Sequence, residues 1–214
     1  MGTGWERRQA QTRRDVIEAA GSLIAEGGVV GLTMRKLAER AGVAVATLYN
    51  QFGDRDGVIV AFVSSGLDQL EIELDEQPDA GPIDTTRQLF EALDEECASE
   101  PEVWRPIFAS LRAGADTHGM GAVGDRVVSY IEHDLAQASA AGLFAVDVDA
   151  EQLARHIFIT RMNRLEKWAN GIIEWDSYRS SSTLGLELIL AAVLVEPARD
   201  IALVRSGVAR STVC

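Results

Sequence analysis

At 214 residues, 47% hydrophobic and 25% charged, the chain has the composition of a soluble globular protein of one large domain or two small ones. Its formal charge of −13 argues against nonspecific coating of nucleic acid, but the charge is uneven: residues 1–57 hold eight Arg and Lys against seven Asp and Glu, net +1, which leaves −14 for the rest. Cys97 and Cys214 form no metal or redox spacing, no signal-peptide pattern opens the chain, and the longest apolar run, 188–195, falls far short of the roughly 20 residues of a membrane span, so a reduced cytoplasm is the expected location.

Residues 1–14 are polar and Arg-rich without apolar periodicity, and they read as a mobile basic arm. Arg7, Arg8, Arg13 and Arg14 there either meet phosphates or a minor groove, or merely solvate a disordered end. From Val16 the pattern changes. Val16, Ile17, Ala20, Leu23 and Ile24 form one helical stripe that stops at Gly27-Gly28.

The stretch 32–52 reads as two short helices broken at Ala41-Gly42. Thr33 caps the first, and Met34, Leu37, Ala38 and Ala41 repeat at helical spacing. Gly42 supplies the turn, and Val43 plugs the corner. The second helix, about 45–51, buries Leu48 and Phe52 and turns Val45, Ala46, Thr47, Asn50 and Gln51 outward. Such residue types fit base edges: Asn50 or Gln51 pairs with adenine, Val45, Ala46 and the Thr47 methyl sit on thymine methyls, and Arg35 reaches guanine. Tyr49, Thr33 and Arg55 suit phosphates, which fix register without reading sequence.

Gly31-Leu-Thr-x-Arg-Lys-Leu-Ala, then Ala-Gly-Val, then Thr47-Leu-Tyr-x-x-Phe-x-Asp-Arg55, between an amphipathic helix and a long one, resembles the DNA-binding domain of TetR-family transcriptional regulators over about 15–62. The resemblance implies DNA contact by Arg35, Val45, Ala46, Thr47, Tyr49, Asn50 and Arg55. Two departures stand out. Ala44 occupies a position where the family often has a capping Ser or Thr, which weakens the helix start by roughly 1 kcal/mol. Asn50-Gln51 replaces aromatic and His residues, so no known operator carries over.

Asp54 caps a long helix whose Ile59, Phe62, Val63, Leu67, Leu70 and Leu74 share a face, and Pro78-Asp-Ala-Gly-Pro82 ends it. Helical stretches follow at about 85–99, 102–115, 123–141, 150–170 and 177–195, with no strand alternation, and the tail 201–214 is expected to fray. The expected fold is all-α. A three-helix helix-turn-helix domain with its arm (1–57) is joined by a connecting helix (58–77) to a helical bundle for effector binding and dimerisation (78–214).

Other signals are weaker. Gly119-Met-Gly-Ala-Val-Gly124 matches a dinucleotide fingerprint by letter but lacks a strand before it, so a flexible inter-helix loop is expected. His118, His133 and His156, with Glu132 or Asp134, show no metal-ligand spacing, and no catalytic arrangement is evident. No cofactor and no metal are expected.

Aromatic and sulfur side chains cluster in the second part, where ordinary core is an equal reading. The family resemblance implies an effector cavity in that part. Trp104, Phe108, Tyr130, His133, Phe158 and Met162 are the candidate lining, with Tyr130 or His133 as polar handle. The surplus of acid favours an apolar or cationic effector. The run from Leu184 to Val195 is apolar nearly all round and, with Ile157, Leu165 and Trp168, could cover itself across a two-fold dimer. A dimer suits a palindromic operator in double-stranded DNA. An effector that moves helix 56–75 would release it, which makes a repressor the expected role by resemblance. The rival readings are a helical enzyme or metal- or nucleotide-binding protein, and a DNA-binding regulator without effector.

Overall fold

The computed structural model describes residues 4–75, 81–110 and 120–208. Ten helices are present among them, with no strand beyond an isolated antiparallel bridge between Phe144 and Leu194. Two compact units form: residues 1–75 with 95–123, and residues 76–94 with 124–214. Residues 95–123 thus group with the N-terminal helices.

In the first unit, α1 (Gly4–Gly31) begins well before Val16, so residues 4–14 are helical where an arm was expected. Polar side-chain contacts along the helix stand in for an apolar stripe: Gln11 donates to Asp15 and Arg14 donates to Gln11, each at 2.7 Å. Arg13 lies over the Phe52 ring at 5.0 Å. The expected stop at Gly27-Gly28 is a break within α1, with Gly28 at φ +63°. Then come α2 (Met34–Ala41), α3 (Val45–Phe52) and α4 (Arg55–Asp75). Val16, Ala20, Leu23, Ile24, Leu37, Leu48 and Val58 meet in one core. Asp54 caps α4 by accepting the Gly57 N–H at 2.8 Å, and Ile59, Val63, Leu67, Leu70 and Leu74 are buried as their spacing required.

α6 (Pro101–Ser110) packs within this unit. A Cβ on Gly28 would lie 3.7 Å from the Pro106 ring, so the break in α1 is where α6 sits down. Trp104 packs at a tilt against Phe62 of α4, with centroids 5.6 Å apart, and stacks on Phe108 at 5.9 Å.

The second unit contains the first part of α5 (Asp84–Ser99), most of α7 (Met120–Ala140), and α8 (Ala150–Ala169), α9 (Trp175–Val193) and α10 (Ala198–Arg205). α7 includes the glycine-rich letters from Met120 on, so the loop expected there is helix; Gly119 lies outside the described residues, as do His118, residues 78–80 and Cys214. Gly124 is needed for packing: a Cβ there would stand 3.1 Å from Phe158 Cζ. α10 occupies part of the tail expected to fray, held on the buried Ala202.

Two polar ties run through this core. Asp94 of α5 accepts from Arg161 of α8 at 2.6 Å and from the Tyr178 hydroxyl of α9 at 2.8 Å, while Arg161 also lies over Phe90 at 4.3 Å. Glu187 of α9, 2% exposed, accepts two bonds from Arg87 at 2.7 and 2.8 Å. Burial opposes the charge on Arg87, but the bonds to Glu187 and Asp84 outweigh it and raise its pKa. Glu187 thus interrupts the apolar run of α9 with a satisfied charge.

Candidate nucleic-acid interface

The turn between α2 and α3 is built as the residues dictate. Thr33, in extended backbone, accepts the Lys36 N–H at 3.3 Å and so caps α2. Gly42 ends it at φ +66°, in the left-handed region, and the Val43 N–H returns to the Ala38 carbonyl at 3.0 Å. α3 starts at Ala44 without a side-chain cap, as the missing hydroxyl requires. Arg40 grips Glu26 of α1 with two bonds at 2.8 and 2.9 Å, which ties α2 to α1. The hydrogen bond from Arg40 is the main reason the Glu26 carboxyl titrates below its ordinary range.

α3 is eight residues long, too short to stand without support. Leu48 anchors it at 0% exposure, while Val45 and Tyr49 are 37% and 53% exposed. Ala46, Asn50, Thr33, Arg35 and Arg55 are exposed too. Thr47 and Gln51 are half-buried instead of facing fully outward, because they lie only about 100° and 60° around the helix from buried Leu48 and so flank its buried stripe. The Gln51 Oε1 is buried with no hydrogen-bond partner. Arg55 is not fully available either, since it pairs with Asp56 at 2.9 Å. Arg13, assigned to the arm by sequence, was missed as a neighbour of α3; Phe52 draws its guanidinium across α1.

The candidate effector residues divide between the two units. Trp104 is buried and Phe108 half-buried in the first; in the second, Tyr130, Phe158 and Met162 are half-buried. His133 is exposed and bonded to Gln137 at 2.7 Å. Asp134, weighed by sequence beside the histidines, is a buried helix cap: it accepts from the Ile83 and Thr86 N–H groups at 2.9 Å and from the Thr86 hydroxyl. No cluster that could hold a metal ion occurs among the described residues. Ile157, Leu165 and Trp168 are 2–3% exposed within one chain, so they are core and not an outward face; the outward apolar positions of α8 and α9 are Ile159 and Leu188, at 59% and 40%.

A capped first helix, a left-handed glycine turn and a short second helix that buries one leucine and exposes its polar and small residues define a helix-turn-helix DNA-binding protein. The family model of the bacterial regulatory proteins of the tetR family matches residues 16–62. An uncharacterised HTH-type transcriptional regulator of Mycobacterium bovis is 31% identical over 148 residues, covering 69% of this chain and 68% of that protein. The HTH-type transcriptional repressor KstR of Rhodococcus jostii is 23% identical over 180 residues, 82% of this chain and 77% of KstR. Among solved structures, the fold is shared with SmeT, repressor of the Stenotrophomonas maltophilia multidrug efflux pump SmeDEF, at a TM-score of 0.63 and 22% identity over 87% of this chain and 92% of that one. The fold is likewise shared with SmeT in its triclosan complex, at 0.58 and 19% over 88% and 94%. The chain belongs to the TetR family and is a DNA-binding transcriptional regulator. None of its described helices is long and apolar enough to cross a membrane.

Proposed function

We propose that the protein is a cytoplasmic repressor, not an enzyme, which binds a palindromic operator as a homodimer and is released by a small-molecule effector. Residues 1–57 act as the DNA head, 58–77 as the connecting helix and 78–214 as the effector and dimer domain. The observation that carries the reading is α3 itself, a helix held by buried Leu48 whose Val45, Ala46, Tyr49 and Asn50 are left in solvent. Arg35, Val45, Ala46, Thr47, Asn50 and Gln51 read bases, while Thr33, Tyr49 and Arg55 meet phosphates. Ile159 and Leu188 lie on the dimer face, and the dimer sets the half-sites about 34–36 Å apart.

The relatives named as repressors, and SmeT with triclosan bound, support the sign of regulation and the response to a ligand. The acidic body favours an apolar or cationic effector. Trp104 offers a route for coupling: it packs at a tilt against Phe62 of α4, so a ligand that displaces Trp104 moves the helix behind the recognition helix. A coupling of about 1–3 kcal/mol weakens operator binding roughly 5–150-fold, enough for induction.

The test is selection of bound duplexes from a random library at fixed salt, since phosphate contacts make affinity salt-dependent. Recovery of an inverted repeat supports a dimeric regulator. Folded protein that enriches no sequence overturns the reading.

A further inference from the structure

Beside the two ion pairs of the second unit lies a cleft of about 200 Å³ between α5, α8, α9 and α10. None of the six candidate effector residues lines it. Its charged lining is four arginines against Glu91, Asp94 and Glu187. The two buried acids are already matched, Asp94 by Arg161 and Glu187 by Arg87. That leaves Arg179 and Arg205 facing Glu91, all three exposed. Arg205 lies 3.7 Å from Asp84, a distance at which a solvated pair contributes little. The lining is net positive by one charge before Asp84 is counted, an acid just outside it that bonds Arg87 at 2.8 Å, whereas residues 58–214 carry −14. The rest of the lining is chemically mixed: Phe90 and Leu186 supply apolar surface, and Ser182 a hydroxyl that Arg161 approaches at 3.4 Å.

We propose that this cleft binds a small monocarboxylate bearing an apolar group, with Arg179 and Arg205 taking the carboxylate. One negative charge balances the lining, whereas a phosphate dianion would leave the three acids facing an excess of negative charge. Guanidinium forks match a carboxylate's two oxygens. The volume sets the size: about 200 Å³ is below the ~300–1,000 Å³ of sites for drug-sized ligands, so the occupant is small. Because Asp94, Arg161 and Glu187 line the same cleft and tie α5 to α8 and α9, the ligand touches the groups that hold these helices together. The inference does not rest on the operator reading, since binding is read without DNA.

The experiment uses the full chain and fluorine NMR of 4-fluorobenzoate and 4,4,4-trifluorobutyrate, with 4-fluorobenzamide as the uncharged match and inorganic phosphate as competitor. One of the two acids should bind saturably and the amide should not. The Arg179→Ala/Arg205→Ala variant, altered only at exposed positions, should weaken binding by at least about tenfold, while Arg155→Ala on the exposed side of α8 leaves it unchanged. Equal binding of acid and amide, or undiminished binding by the double variant, overturns the site. Displacement by phosphate as effective as by benzoate overturns the carboxylate assignment. Absence of saturable binding by both acids up to about 10 mM overturns the proposal as a whole.

Discussion

Asp134 and Thr86, 48 residues apart, are joined twice: Asp134 Oδ2 accepts from the Thr86 N–H at 2.9 Å and from its hydroxyl at 2.5 Å. With Oδ1 on the Ile83 N–H, one carboxylate from α7 caps the first turn of α5, and both residues are almost fully buried. Asp134→Ala leaves these donors without an acceptor and should cost about 3 kcal/mol, read as a lower urea midpoint.

The Arg161–Asp94 pair should behave as a buried pair does. Arg161→Met alone strands the Asp94 charge with only the Tyr178 hydroxyl, a loss of roughly 3–5 kcal/mol. The double change Arg161→Met/Asp94→Leu removes the stranded charge and should recover most of that loss. A double-mutant cycle from urea melts checks it, and a double variant less stable than Arg161→Met would contradict the account.

Ala44 is exposed, at φ −71° and ψ 142°, the backbone of an N-cap without the side chain of one. Ala44→Ser should therefore raise stability by about 1 kcal/mol, seen as a higher melting temperature of the free protein. No change would mean that another group already satisfies the first turn of α3.

Glu96 gives a pH dependence of definite sign. Burial, then the neighbouring Glu100, raise its pKa above the ordinary 4.5 and outweigh the opposing influence of the nearby Trp104 indole. The folded state thus holds this proton longer than the unfolded one. The stability it contributes is complete below pH ~4.5 and is lost as pH rises through the raised value. Glu96→Gln should be more stable than the parent at neutral pH, with the gain disappearing in acid, as thermal melts across that range would show.

On DNA, Tyr49→Ala should weaken binding to all sequences alike, while Asn50→Ala should cost about 1–3 kcal/mol at one base position and relax the preference there. Quantitative binding to a set of single-base operator variants separates the two outcomes. Identical behaviour of both variants would remove the division between reading and positioning.

The head was legible because its signals are local. Thr33, Gly42 and Leu48 act within a few residues of themselves, and the break at Gly27-Gly28 shows in the letters. The start of α1 was not legible, because residues 4–15, all exposed but half-buried Thr12, carry no apolar stripe to reveal a helix. The glycines after Met120 suggested a loop, whereas Gly124 serves the approach of the Phe158 ring from another helix. The Asp134 cap, the Arg161–Asp94 pair and the Arg87–Glu187 pair span 48, 67 and 100 residues, and no window of sequence joins such partners. The exposure of His133 was not legible for a related reason: residue type suggests a polar handle, but only packing decides which side of α7 it occupies.

The helical start of α1 also changes what its arginines can reach. From Gly4 to Val16, the first buried residue, the helix rises roughly 18 Å, so Arg7, Arg8 and Arg14 ride on a cantilever and not on a tether. A tether sweeps a volume and finds phosphates at many distances. A cantilever offers each guanidinium at one height and one azimuth, with Arg7 and Arg14 two turns apart on nearly the same side. A small tilt of the entire head is then magnified at the tip of α1.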